Sequence, residues 1–200
     1  MKIGLVDVDN HNWPNLALMK ISAWHKGAGD TVEWAGSLEH YDKVYMAKVF
    51  TFTPDDIQSY QADEIVRGGT GYDLTSRLPE DIESCYPDYD LYGIRDTAYG
   101  YLTRGCPRKC PFCIVGQKEG AQAYKVADLS RFWQGQKHIK LLDPNLLACP
   151  DWESLLEQIA DSGAWVDFTQ GLDIRLMTDE KAAAMKFAWG LVMVMNMLIL

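Results

Sequence analysis

Apolar runs of strand length recur between helix-like stretches, and this rhythm limits the chain to few architectures. Lys2 to Val8, Thr31 to Ala35, Lys43 to Phe50 and Ala62 to Val66 each read as a short buried strand. Between the first two, Asn15 to Lys26 carries Leu16, Met19 and Ala23 at helical spacing, and Gly27 and Gly29 close it. Thr53-Pro54-Asp55-Asp56 reads as a further helix start, and Gly68-Gly69-Thr70-Gly71 ends the fourth strand. Strands and helices in alternation, with glycines at strand ends, describe the α/β class: a small doubly wound parallel sheet over residues 1–71. Residues 72–95 are acidic and tyrosine-rich, and Pro79 and Pro87 break any helical run, so they read as a connector.

The rhythm resumes over 96–200. Thr97 to Leu102, His138 to Leu142 and Trp165 to Thr169 are strands, and Gln170 to Arg175 extends the last of them. Asp128 to Trp133 supplies a first helix. Asp151 to Ser162 supplies an amphipathic one, with Trp152, Leu155, Leu156 and Ile159 on its apolar side and Gly163 at its end. Thr178-Asp179-Glu180-Lys181 opens another helix. Phe187 to Leu200 is almost uninterrupted apolar sequence, a core strand, a short core helix or a tail foreign to the domain. Its fourteen residues fall short of the roughly 20 that span a bilayer.

Chemistry concentrates in Cys106-Pro107-Arg108-Lys109-Cys110-Pro111-Phe112-Cys113, which directly follows the strand at 97–102. Thiolates so close on one loop can converge on a soft metal centre, and two prolines lower the entropy lost in doing so. Three ligands are one short of the closed tetrahedron of structural zinc, whereas a cubane iron–sulfur cluster held by three cysteines keeps one iron open. Zinc completed by Cys85 or Cys149 remains the competing metal reading, and unliganded thiols the third.

Three cysteines at C-x3-C-x2-C spacing, with the aromatic Phe112 before the last, resemble the signature of the radical S-adenosylmethionine (radical SAM) superfamily. The resemblance implies a 4Fe-4S cluster on Cys106, Cys110 and Cys113, with S-adenosylmethionine chelating the fourth iron. It further implies reductive cleavage to a 5′-deoxyadenosyl radical, which removes hydrogen from a substrate that the sequence does not identify, and an electron donor such as flavodoxin or ferredoxin. The family fold is a partial barrel of six strand–helix units. About three are recognisable here, so a truncated radical SAM-type βα barrel is expected. An iron–sulfur carrier without catalysis is the alternative.

Phe112, Asp143, Asn145, Asp173 and Arg175 are the candidate cofactor-binding residues. Asp143-Pro144-Asn145 follows a strand end, where βα barrels place functional loops, and resembles the segment that meets the methionine end of S-adenosylmethionine. Capping the turn is the competing role. Asp173 and Arg175 alternate onto one strand face, as ligand contacts or as a mutual ion pair. Radical SAM proteins often carry a cobalamin-binding-like domain in front. Asp9-Asn10-His11-Asn12-Trp13-Pro14 and Gly68-Gly69 resemble parts of one, but Pro14 stands where that motif has glycine. The same loop also reads as a turn in which Asn15 or Asn12 caps the first helix.

With 28 acidic and 19 basic residues, the net charge of −9 disfavours non-specific nucleic-acid or anionic-membrane binding. The local cations Arg104, Arg108 and Lys109 flank the cysteines, where they offset thiolate charge. Five cysteines clustered mainly in one loop, and a leading segment without a signal-like apolar run, point to a reducing, cytoplasmic setting.

Overall fold

The computed structural model describes residues 1–9 and 13–188, which form two compact units, Met1–Ile94 and Arg95 onward. The first contains β1 (Lys2–Asp7), α1 (Leu16–Gly27), β2 (Thr31–Trp34), β3 (His40–Ala47), β4 (Gln61–Gly68) and α2 (Glu80–Glu83). Its four strands run parallel in the order β2-β1-β3-β4. Ile3, Leu5, Leu18, Ile21, Ala47 and Ile82 bury one face of the sheet, and Val6, Tyr41, Val44 and Met46 the other.

Asn15 starts α1. Its side-chain oxygen accepts from the Ala17 and Leu18 amides at 3.1 and 3.2 Å, satisfying two N–H groups that a helix start leaves unpaired. Leu18, Met19 and Ile21 then fall on the buried side. The third strand begins earlier than its apolar run suggests, because the fully buried Tyr41 belongs to it: the phenol donates to Glu33 at 3.0 Å and accepts from the Gly36 amide at 2.9 Å.

The helix expected at Thr53 does not form. Asp9 takes the hydroxyl that would have capped it, accepting from Thr53 Oγ1 at 2.6 Å and from the Val49 and Phe50 amides, while Asp56 closes a local turn through the Gln58 amide and the Tyr60 hydroxyl. The β3–β4 connection is therefore a loop shaped by side-chain acceptors. Within 72–95, Leu78, Ile82 and Leu91 pack on the first unit's core, and the Asp88 amide donates to Met19 O at 3.1 Å.

The second unit contains β5 (Thr97–Gly100), β6 (Thr103–Arg104), α3 (Val115–Lys118), β7 (Tyr124–Lys125), β8 (His138–Leu141), α4 (Trp152–Ser162), β9 (Trp165–Phe168) and α5 (Asp179–Ala188). Strands β5, β8 and β9 lie parallel in sequence order, and β6 pairs antiparallel with β7 in a small ribbon. Alternation puts Ala98, Ile139, Leu141, Val166 and Phe168 in the core with Leu155, Leu156 and Ile159 of α4. Gly163 ends α4 in the left-handed conformation, φ +63°.

Two expectations change here. Residues 129–131 form a single 3-10 turn rather than a full helix, and the strand stops at Phe168. Beyond it the chain turns at Gly171, φ +78°, into a 3-10 turn at Ile174–Leu176 that Asp173 caps, so Asp173 and Arg175 do not share a strand face. Most of the apolar stretch 187–200 lies outside the described residues. The described residues contain mixed α/β structure with parallel sheets, and none of their helices is long and apolar enough to cross a membrane.

Candidate functional site

Parallel pairing puts the carboxyl ends of β5, β8 and β9 on one edge of their sheet, and each of the three following loops carries candidate residues. Cys106, Cys110 and Cys113 follow β5 and its extension, Asp143 and Asn145 follow β8, and Asp173 and Arg175 follow β9. In open parallel sheets and βα barrels this edge is where ligands bind.

Asp143 anchors the root of the cysteine loop. It is 3% exposed and accepts from the Leu102 amide at 3.1 Å, the Thr103 amide and the Thr103 hydroxyl at 2.7 Å. Burial pushes its carboxyl up to about 6, against the pull of those hydrogen bonds. Its role in the structure is to tie the exit of β5 to the exit of β8. That is the turn-holding reading of this loop, reached across strands rather than locally.

The loop's ends are fastened by the ribbon. Thr103 and Arg104 pair with Lys125 and Tyr124, Cys106 N donates to Gly120 O at 3.2 Å, and Glu119 accepts from Arg104 at 2.6 Å and from the Gly105 amide at 3.2 Å. Gly105 has φ +78°, and a Cβ there would lie 2.0 Å from Gln122 O, so only glycine lets the chain pass just before the first cysteine.

Asn145 and Asp173 meet at Cys106. Asn145 Nδ2 lies 3.4 Å from Cys106 Sγ and 3.4 Å from Asp173 Oδ2, while its own Oδ1 is buried with no hydrogen-bond partner. Asp173 also accepts from Arg108 Nε at 2.6 Å and Arg175 Nε at 2.7 Å. Partial burial would raise its pKa, but the bonds from Arg175 and Arg108 outweigh this and hold the carboxyl at about 2. Arg175 has its own pKa raised by Asp173 first, and then by Cys110 and Cys106, so it lies within electrostatic reach of both sulfurs.

The structure thus brings Cys106, Asn145, Asp173, Arg108 and Arg175 together. Cys113 is exposed on a turn in which its amide donates to Cys110 O at 3.0 Å, and Phe112 beside it is 76% exposed. Among the described residues no three Cys, His, Asp or Glu side chains are already gathered at metal-binding distance. Cys106 and Cys113 are tied into one fastened loop through their amides, with Cys110 between them. Cys149 is buried near Asp151, and burial raises its pKa.

Sequence reasoning missed two groups. Arg108 was read only as local positive charge, although its partner lies 65 residues away. Tyr99, Lys140 and Asp167 form one register row across β5, β8 and β9 on the face opposite the core, with Lys140 Nζ 3.9 Å from Asp167 Oδ2 and Asp167 Oδ1 buried without a hydrogen-bond partner. Strand register was the missing signal for the row, and strand order, which sets the loops side by side, for Arg108.

In the first unit, a crevice of about 610 Å³ opens at the carboxyl ends of β1 and β2, lined by Asp7, Trp34, Asp55, Asp56 and Tyr60 among others. Asp9 is engaged by the β3–β4 loop, and Gly69 lies against Lys48, where a Cβ would come within 2.3 Å of the Lys48 carbonyl. His11 lies outside the described residues. A scan against protein-family models finds no match to the chain, and a search of curated proteins finds none either.

Proposed function

We propose that the chain is a radical SAM protein whose second unit is the first part of a βα barrel, with Cys106, Cys110 and Cys113 as ligands of a 4Fe-4S cluster. The observation that carries this reading is the convergence of three successive strand-end loops on one sheet edge, with the C-x3-C-x2-C loop first among them. The donor chemistry fits: three soft thiolates on one loop, with cationic Arg108 and Arg175 nearby to offset their charge.

Such a cluster, reduced by an electron donor of the flavodoxin or ferredoxin kind, supplies one electron to cleave S-adenosylmethionine to a 5′-deoxyadenosyl radical that abstracts hydrogen from substrate. The protein's own residues position and neutralise. Asn145 donates toward the Cys106 sulfur, and its orphaned, buried Oδ1 is an acceptor suited to a ligand ammonium such as that of S-adenosylmethionine. Arg175 is 58% exposed at the side chain and can turn toward a ligand carboxylate while keeping its place near the sulfurs.

The test is anaerobic reconstitution with iron and sulfide analysis, followed by a 5′-deoxyadenosine assay with dithionite. Four irons and four sulfides per chain, with deoxyadenosine formed, are expected of such a cluster. Cys110→Ala should abolish loading. A zinc-only product, or undiminished iron in that variant, overturns the reading; a full cluster without deoxyadenosine assigns the chain to an iron–sulfur carrier instead.

A further inference from the structure

Asp173 was expected to contact a ligand, yet both of its oxygens are engaged within the protein. One accepts from Arg175 Nε at 2.7 Å and the Arg175 amide at 3.3 Å; the other accepts from Arg108 Nε at 2.6 Å and lies 3.4 Å from Asn145 Nδ2. The carboxylate is 7% exposed, whereas Arg108 is 33% exposed. An ion pair with one partner this well enclosed and a hydrogen bond this short belongs to the strong kind, unlike two surface side chains meeting in water.

What Arg108 is attached to gives the pair its meaning. Arg108 is the central residue of Pro107-Arg108-Lys109, the spacer between the first two cysteines, and neither Pro107 nor Pro111 has an amide hydrogen to fasten the loop. The ribbon fastens the loop at Cys106 N and a turn fastens it at Cys113 N. The stretch between them is tied across to the β9 loop through the Arg108 side chain.

We infer that Asp173 is a positioning residue for the cysteine loop, holding the Cys106–Cys110 spacer through Arg108 so that the loop is ordered where its thiols would take iron. The inference rests on the iron–sulfur reading only for its purpose; the brace itself is the contact between the Arg108 and Asp173 side chains. Asp173→Asn keeps the shape and removes the charge, so loop order falls and cluster assembly slows while the unit's core is untouched.

The experiment is hydrogen exchange on the intact, metal-free chain, reading peptides across 105–114 against the ribbon amide of Val126, which donates to Leu102 O. Asp173→Asn and Arg108→Gln should each speed exchange of the loop about tenfold, the scale of a lost charge-assisted bond. The double variant should be no faster than either single one, and the Val126 amide should keep its wild-type rate in all three variants. Iron uptake followed by cluster absorbance should slow in the same three variants and in the same non-additive pattern. Unchanged loop exchange in Asp173→Asn, or additive effects in the double variant, overturns the brace. If the wild type takes up no cluster but the exchange cycle holds, the iron–sulfur reading falls and the brace stands.

Discussion

Removing the Asp143 carboxylate should cost stability by an amount that shrinks as pH rises. In Asp143→Ala the Leu102 amide, the Thr103 amide and the Thr103 hydroxyl lose their acceptor inside a site where Asp143 is only 3% exposed. Orphaning three buried donors costs roughly 4 kcal/mol after partial relaxation. Against this, the wild-type carboxyl sits at about 6 rather than 3.8, so the folded state holds its proton more tightly than the unfolded state does. A raised acid pKa means that the folded chain binds more protons between about pH 4 and pH 6, and wild-type stability falls as pH rises through that window. From pH 4.5 to 7.5 the fall amounts to about 2 kcal/mol, taking roughly 1.4 kcal/mol per pKa unit. The alanine variant lacks this titration. The difference between wild type and variant should therefore be about 4 kcal/mol at pH 4.5 and about 2 kcal/mol at pH 7.5. Urea denaturation of both chains at matched pH measures it, and the subtraction cancels the other titrating groups. A difference that stays constant, or widens toward pH 7.5, would refute the assignment of Asp143 as a buried carboxyl desolvated by the strand exits.

Other positions give simpler outcomes. Gly100→Ala places a methyl 2.3 Å from the ring of Phe132, which is 3% exposed, and should destabilise the second unit by about 2 kcal/mol in thermal or urea unfolding. Adding Phe132→Leu should recover part of that loss, and its failure to do so would show that the clash is not the cause. Asn15→Ala removes the acceptor for two amides at the start of α1 and should cost about 1 kcal/mol, measured on the first unit's transition.

The order of strands and helices was readable because apolar periodicity and glycine stops are local signals: α1, α4 and the Gly163 stop follow from them directly. What failed was local too, but overruled at a distance. Thr53 carries helix-start chemistry, yet Asp9, 44 residues earlier, captures its hydroxyl. Asp173 and Arg175 have strand-like alternation, yet Gly171 turns the chain and Arg108 draws Asp173 toward the cysteine loop. The cysteine spacing was visible in the sequence, while the contacts organising its surroundings depend on which strands are neighbours. Motif chemistry lies along the chain, and site geometry across it.

The pairing order also has a consequence for synthesis. Strand β1 sits between β2 and β3, both complete by Ala47, so three of the first sheet's four strands can pair from sequence that leaves the ribosome early. The cysteine loop waits longer. Its ribbon is complete by Lys125, but its root is held by Asp143, which follows only after β8, so for some forty residues of elongation that second tie is missing. The loop is thus fastened in two steps, by the ribbon first and by the exit of β8 second.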